Sequence, residues 1–559
     1  MTWRRGEAAH RALEGVIACA AAAVIIAAVG GAARIALPGL AIPLRGVLRP
    51  ALVAAFALAG KVVLGIRGTP RGEWLDRAAG AAFRLTVLTV LLSDLGLVLA
   101  HLVASCGGLD SSGYLNAARL FLSGSLTLYA PVARALPFAD ATAAAAPLGF
   151  VAAATPYFIA PRFPPGLPLV MAASALAGRT APFLVAPALG TAAVGTLYVT
   201  AKRSADATTG ALAAVMLATS PVFLYMALQP MSDVPATFWI VLVAFFLWRP
   251  APRPLLAALA GGMAILTRPP LALTVAALAV TTAWPDRRRP VLFTLISGLF
   301  VVTLLALQHH LYGSALTSGY GSAHQLFTLS VLGGQLALYG KWFLSVEGPL
   351  VIGLFAAGAV ANPRGAWRAA LVFGATAAPY LVYAPRFEDW EILRFLLPAI
   401  PFVAIVCANG VVWLSRAGLH PARARIAATI VAAAVAAGSY AFLRGQHAFE
   451  LATLELKYPM VGEWFDRNAP ANAVAIASLH SGSLRYYSGR AVVRIDAVPE
   501  GMLSATVRAL ERAGYQAIAV LEQGDEFDEL DRRARADASL VITPEARIRG
   551  VYVVRLSVR

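Results

Sequence analysis

The chain has 559 residues, of which 59% are hydrophobic and only 13% charged, with a formal net charge of +17 and a mean hydropathy of +0.70. Soluble domains average about 45–50% apolar and about 25% charged residues, so this composition excludes an ordinary soluble enzyme and specifies a polytopic membrane protein. The basic residues are scattered between apolar runs instead of clustered, which excludes a nucleic-acid-binding surface and fits membrane topology.

In chain order, a helix needs about 20 apolar residues to cross the hydrocarbon, and candidate spans fall at roughly 12–33, 48–66, 80–104, 168–200, 206–226, 234–248, 255–267, 270–284, 291–307, 349–361, 367–384, 394–414 and 425–443. That is about 12–13 transmembrane helices. The first run is long for a signal peptide and lacks a clear cleavage site. Short basic loops lie between spans at Lys202-Arg203, Arg249 with Arg253, Arg287 to Arg289, Arg364 with Arg368, and Arg416 to Arg425. The positive-inside rule assigns these loops to the cytoplasm. Alternation then assigns residues 105–166, 227–233, Arg268, 308–348, 385–393 and everything after 443 to the opposite face. This parity requires 168–200 to make one crossing, so 167–178 reads as a short re-entrant or interfacial helix. The N-terminal hairpin fits less well, because Arg34, Arg45 and Arg49 would lie outside.

Beyond residue 455 the composition changes. Short apolar strands (AVAIAS, AVVRI, AIAVLE, VYVVRL) alternate with helical patterns (MLSATVRALERAG, EFDELDRRARA). This spells a small α/β domain outside the membrane. The expected organisation is an N-terminal membrane hairpin over 1–79, a transmembrane catalytic domain over 80–445 with a large first outer loop at 105–166, and an extracytoplasmic α/β domain over 455–559.

The chemistry concentrates on the outer face. Asp110 ends a span and precedes SSGYLNAARL, which reads as an interfacial helix with Leu115, Leu120 and Leu122 toward lipid or core. A carboxylate at the mouth of a membrane cavity suits a general base; as a bland reading, Asp110 N-caps the helix. Asp233 opens a span in QPMSDVPATFW, with an N-cap as its bland reading too. Arg268, in LTRPP, interrupts two short apolar runs, as a broken helix lining a cavity would. Its guanidinium suits a phosphate through bidentate hydrogen bonds; a snorkelling interfacial arginine is the alternative. Arg394, in WEILRFLLPAIPF, is a similar cation, with Arg386, Glu388 and Asp389 just before it as candidate ion-pair partners. Tyr114, Tyr320 and His480 are candidates for contacting an acceptor. His309, His310 and His324 have no ligand spacing that specifies a metal, and the three cysteines, Cys19, Cys106 and Cys407, form no spaced pair.

Five stretches in this order, LDSSGYLNAARL, RFPPGLPLV, QPMSDVPATFWIVL, AILTRPPLAL and LRFLLPAIPF, resemble the GT-C glycosyltransferases that group lipid A aminoarabinose transferases, lipopolysaccharide core transferases and protein O-mannosyltransferases. The resemblance covers roughly residues 80–415. It implies the GT-C fold, a polyprenyl-phosphate sugar donor, a lipid, glycan or protein acceptor, and transfer on the extracytoplasmic face with inversion. It further implies Asp110 as base, Asp233 as the second outer acid, and Arg268 and Arg394 on the donor phosphate. Many members carry a second acid directly after the first; here that position is Ser111. The resemblance implies no certain cofactor and leaves a divalent metal open. Ala-rich, Arg-over-Lys usage points to a GC-rich bacterial source and so to the bacterial inner membrane, with the tail periplasmic. A flippase or transporter is the competing class, though no inverted repeat or mid-membrane charge is evident; a non-catalytic membrane scaffold is another.

Overall fold

The computed structural model describes residues 14–27, 34–37, 40–43, 71–416 and 421–559. The expected span at 48–66, with Arg45 and Arg49, lies outside the described residues. The chain is mostly helical and divides into two compact units. One comprises Met1–Leu102, Ala186–Phe300 and Phe327–Leu451; the other comprises Val103–Val185, Val301–Leu326 and Ala452–Arg559.

Among the described residues, five helices are long and apolar enough to cross a membrane: Leu75–Ala100, Ala181–Ser204, Arg288–Tyr312, Leu397–Arg416 and Pro421–Gly445. Two bent pairs, Ala207–Ala218 with Pro221–Ala227 and Leu329–Val346 with Pro349–Ala361, raise the number to seven if each pair is one span. The twelve or thirteen spans expected from hydropathy therefore include shorter pieces. Asp233–Leu247, Pro254–Thr267 and Leu271–Val280 form where spans were expected, but with 15, 14 and 10 residues. At 1.5 Å per residue, each is about 15–23 Å long, less than the bilayer core. Helix Arg288–Tyr312 is the most apolar of the long five, yet only 17% of its apolar window is buried in the protein. Leu295, Leu299 and Val302 on it are exposed, a pattern that makes sense only against lipid.

In the first unit, Leu217, Leu224, Val234, Val241, Leu393 and Leu397 share one apolar core. Its two bent pairs turn by 62° and 94° at their breaks. The breaks are joined directly: the Ser220 hydroxyl donates to Glu347 Oε1 at 2.9 Å.

In the second unit, the expected outer loop carries helix Leu109–Leu122 and a three-stranded antiparallel sheet of Leu128–Tyr129, Phe158–Pro161 and Phe150–Ala152. The short helix expected at 167–178 is Gly166–Ala175 and packs on Leu109–Leu122. The tail forms a five-stranded mixed sheet in the order Leu540–Ile548, Val551–Val558, Gln516–Glu522, Ala473–Ala477, Ala491–Arg494. The three strands Gln516–Glu522, Ala473–Ala477 and Ala491–Arg494 are parallel. All five side chains of Ala473–Ala477 are buried, as expected of a parallel strand covered on both faces. One face of the tail sheet closes on the tail's own helices, with Val461, Phe465, Leu484, Ile518 and Val553 in one core; the other face is completed by the outer loop. Val132, Phe150 and Ile159 from the loop share a cluster with Val474, Ile476, Ala519 and Leu521 from the tail sheet.

Candidate functional site

The first unit brings three expected residues together. Helix Pro254–Thr267 stops because Arg268 precedes Pro269, and the pyrrolidine ring disfavours helical backbone in the residue before it. Arg268 is accordingly extended (φ −145°, ψ 100°), and the next helix begins at Leu271. The broken helix read from LTRPP is therefore present. This geometry frees the Arg268 guanidinium from any helix face and turns it onto Asp233: Nη2 lies 2.8 Å from Oδ1, with the two side chains 11% and 1% exposed. Asp233 is the first residue of its helix, the N-cap position belongs to Ser232, and no side chain caps the end. The carboxylate thus forms an ion pair, and the capping reading does not hold.

Arg394 sits in the 3₁₀ turn Trp390–Phe395, where Asp389 caps the start through its carboxylate and the Trp390 amide. Its backbone carbonyl accepts from Arg268 Nη1 at 3.3 Å. The two guanidiniums flank one ring: Arg268 and Arg394 lie 5.1 and 5.2 Å from the Phe395 centroid. Tyr380 stacks on Phe395 at 4.8 Å and lies within electrostatic range of Asp233, Arg268 and Arg394. Tyr339 lies within range of both arginines. Glu391 accepts from the Tyr225 hydroxyl at 3.0 Å, and burial pushes its carboxyl above the ordinary range despite nearby Arg394. Two guanidiniums that meet at one aromatic ring are groups able to grip a phosphate.

The second unit holds the other expected residues. Asp110 lies in the first turn of helix Leu109–Leu122, whose N-cap is Gly108 with no side-chain cap bond, so Asp110 is not the cap. Tyr114, one turn later on the same face, packs on Phe163 at 4.6 Å, and Phe163 meets Tyr320 at 5.8 Å. The Arg162 guanidinium lies 5.5 Å from the Tyr320 ring. Gly113 makes this approach possible: a Cβ there would collide with the Phe163 ring and come within 2.9 Å of Gly149 Cα. Tyr114 is 5% exposed and Tyr320 38%, so Tyr320 presents the surface and Tyr114 supports it from below. Leu115 and Leu120 are buried and Leu122 is exposed, which makes the helix a packed element of the fold with only its end toward the surroundings.

His480 is completely buried. Its ring stacks on Tyr458 at 4.6 Å, and Nε2 lies 3.3 Å from Glu522 Oε1. That carboxylate also holds Lys457 Nζ at 2.7 Å. The hydrogen bond from His480, working with Lys457 against partial burial, holds Glu522 down at about 2. An acceptor has no access to His480 in this arrangement, which corrects the contact expected of it. Among the described residues, no group of three or more His, Cys, Asp or Glu side chains is placed to hold a metal ion.

The residues missed in the sequence are Tyr339, Tyr380, Glu391, Arg162, Phe163, Tyr458 and Glu522. Phe163 and Arg162 stand inside the quoted RFPPGLPLV stretch and could have been found there. Tyr339 sits on helix Leu332–Val346, inside a segment read as an outer loop.

Residues 162–312 match the family model for dolichyl-phosphate-mannose-protein mannosyltransferase. Two solved structures share the fold. ArnT from Cupriavidus metallidurans bound to undecaprenyl phosphate is 14% identical with a TM-score of 0.57, over 84% of this chain and 97% of that one. The apo form of the same protein is 15% identical with a TM-score of 0.54, over 89% and 98%. No curated protein matches the chain in sequence.

Proposed function

On the premise that this chain has the GT-C fold of membrane glycosyltransferases, we propose that it moves a sugar from a polyprenyl-phosphate donor to a hydroxyl or amine acceptor on the extracytoplasmic face. The observation that carries this reading is the convergence of Arg268 and Arg394 on Phe395, with Asp233 fixing Arg268 in place. The related ArnT fold holds undecaprenyl phosphate, and we extend that ligand class to this chain.

The donor phosphate lies between the two guanidiniums. The acceptor oxygen or nitrogen attacks the anomeric carbon from the opposite side, its proton passes to the Asp110 carboxylate, and the bond to the phosphate oxygen breaks. The products are the inverted glycoside and the lipid monophosphate. A phosphate leaving group needs its developing charge stabilised more than it needs a proton, so paired cations serve and Ser111 costs the site nothing essential. Asp233 acts by orienting Arg268. Tyr320, carried on the hairpin Thr317–Ser318 and Gly321–Ser322, offers a ring face for an acceptor sugar, with Arg162 beside it.

The test is transfer in isolated membranes supplied with their own lipid-linked sugars. Asp110→Asn abolishes transfer and Arg394→Ala reduces it at least tenfold; full transfer by Asp110→Asn removes the proposed base. Labelling of single cysteines at positions 110, 320 and 500 with an impermeant thiol reagent finds all three outside. Finding any one of them cytoplasmic breaks the site.

A further inference from the structure

The tail sheet has a switch point. From Ala473–Ala477 the chain crosses to Ala491–Arg494 on one side and then returns to Gln516–Glu522 on the other. In open α/β sheets the crevice at the carboxyl ends of two such strands is where ligands lodge. Here those ends deliver His480, three residues beyond Ala477, and Glu522, the last residue of its strand.

The crevice is filled from within. His480 and Glu522 support Tyr458 and Lys457. Gly107 lies flat against the Tyr458 ring and the Glu455 carboxylate, where no Cβ would fit. The next tail element, helix Ser481–Ser488, continues the contact. Ser481 Oγ accepts from the Leu148 amide at 3.0 Å, and Asn116 Nδ2 donates to the Gly482 carbonyl at 2.9 Å. The Tyr487 hydroxyl accepts from the Cys106 amide at 2.9 Å. Arg119 donates to the Tyr486 carbonyl and stacks on its ring at 3.5 Å. Every contact lands within ten residues of Asp110 or on the Leu148 segment behind it.

We propose that the tail is a positioning device, and that the occupant of its switch point is the backbone at Gly107–Gly108. Tyr458, Tyr487, His480, Glu522 and Lys457 hold that backbone, which fixes the first turn of helix Leu109–Leu122 and with it the direction of the Asp110 carboxylate. These five are positioning residues and do not touch the substrate. The inference rests on the reading of Asp110 as the base.

The experiment uses the full chain in detergent micelles, with Cys19, Cys106 and Cys407 replaced by alanine and a single reporter, Asp110→Cys, reacted with a methanethiosulfonate reagent. Ser125→Cys, on the exposed turn beyond the same helix, is the control. Adding Tyr487→Phe removes the hydroxyl that accepts from the Cys106 amide and keeps the ring. It changes the labelling rate at 110 by about threefold to tenfold, the range expected for one hydrogen bond, and leaves the rate at 125 and the melting temperature unchanged. Glu522→Gln changes the rate at 110 and not at 125, with a lowered melting temperature, and Glu522→Asp recovers part of both effects. Unchanged labelling at 110 in both Tyr487→Phe and Glu522→Gln overturns the proposal, as does an equal change at 110 and 125. In the chain with Asp110 intact, Tyr487→Phe lowers transfer from endogenous lipid-linked sugars by a similar factor. Retained transfer by Asp110→Asn refutes the base, while the labelling result still decides whether the tail positions the turn.

Discussion

Asp233 and Arg268, 35 positions apart in sequence, form a buried ion pair at 2.8 Å. Removing one partner leaves an uncompensated buried charge and costs about 3–5 kcal/mol. Arg268→Met therefore lowers the melting temperature in detergent strongly, and adding Asp233→Asn recovers part of the loss. Transfer stays absent in the double variant, because the phosphate cradle is gone. A double variant with normal transfer would reduce the pair to a structural role.

Arg394 is tied to the site by its backbone carbonyl as well as by its side chain over Phe395. Arg394→Lys keeps the charge but loses the planar fork, which is not a conservative exchange where a phosphate is gripped by two bonds. The expected result is an apparent donor KM raised about tenfold with a smaller change in maximal rate, measured by titrating membrane-extracted lipid-linked sugars.

Glu522 sets a pH limit on the tail. Its folded-state carboxyl lies at about 2, below the ordinary glutamate value of about 4.3. A depressed pKa contributes stability that is fully present above the unfolded value and is lost as pH falls through the folded one. Thermal melts between pH 5 and pH 2 should show progressive destabilisation of the second unit, with a shallower fall in Glu522→Gln. Identical slopes in the two proteins would contradict this linkage.

Gly113 is fixed by sterics. Gly113→Ala drives a methyl into Phe163 and Gly149, an overpacking that costs about 1–3 kcal/mol. The measurement is the melting temperature of Gly113→Ala against Gly195→Ala, where a Cβ meets nothing within 4 Å. Transfer falls with stability in the first variant, since Phe163 carries the contact between Tyr114 and Tyr320.

Much of this was legible. Asp233, Arg268 and Arg394 each stood out because a charge or a Pro-Pro pair interrupts an apolar run, and their burial together follows from that expense. Their pairing was not legible, because Arg268 and Arg394 are 126 positions apart and no local pattern encodes the bond. The central tail strands announced themselves as continuous apolar runs. Strand Leu540–Ile548 did not: it is an edge strand with exposed Thr543 and Pro544 and a register shift between Pro544 and Ala546, so its alternation is broken. Helix Ser481–Ser488 is short and polar and ends at Gly489, with φ 68°, a signature that reads as loop. Hydropathy sees apolar length and not the breaks at Ser220, Gly348 and Pro269, so the bent and shortened spans were not legible. Least legible was the shared core of loop and tail, which joins segments at opposite ends of the chain.

That shared core has a consequence for biogenesis. Val185 and Ala452, which bound the two large parts of the second unit, are separated by about 270 residues, and those residues include most of the membrane-embedded helices. At roughly 5–20 residues per second, the loop waits some 15–50 s after synthesis for the tail strands that complete it. During that interval Val132, Phe150 and Ile159 lack their apolar partners, and the turn carrying Asp110 has no anchor. The unfinished chain is in this sense aggregation-prone, and the tail strands bury the exposed face of the first outer loop as they arrive.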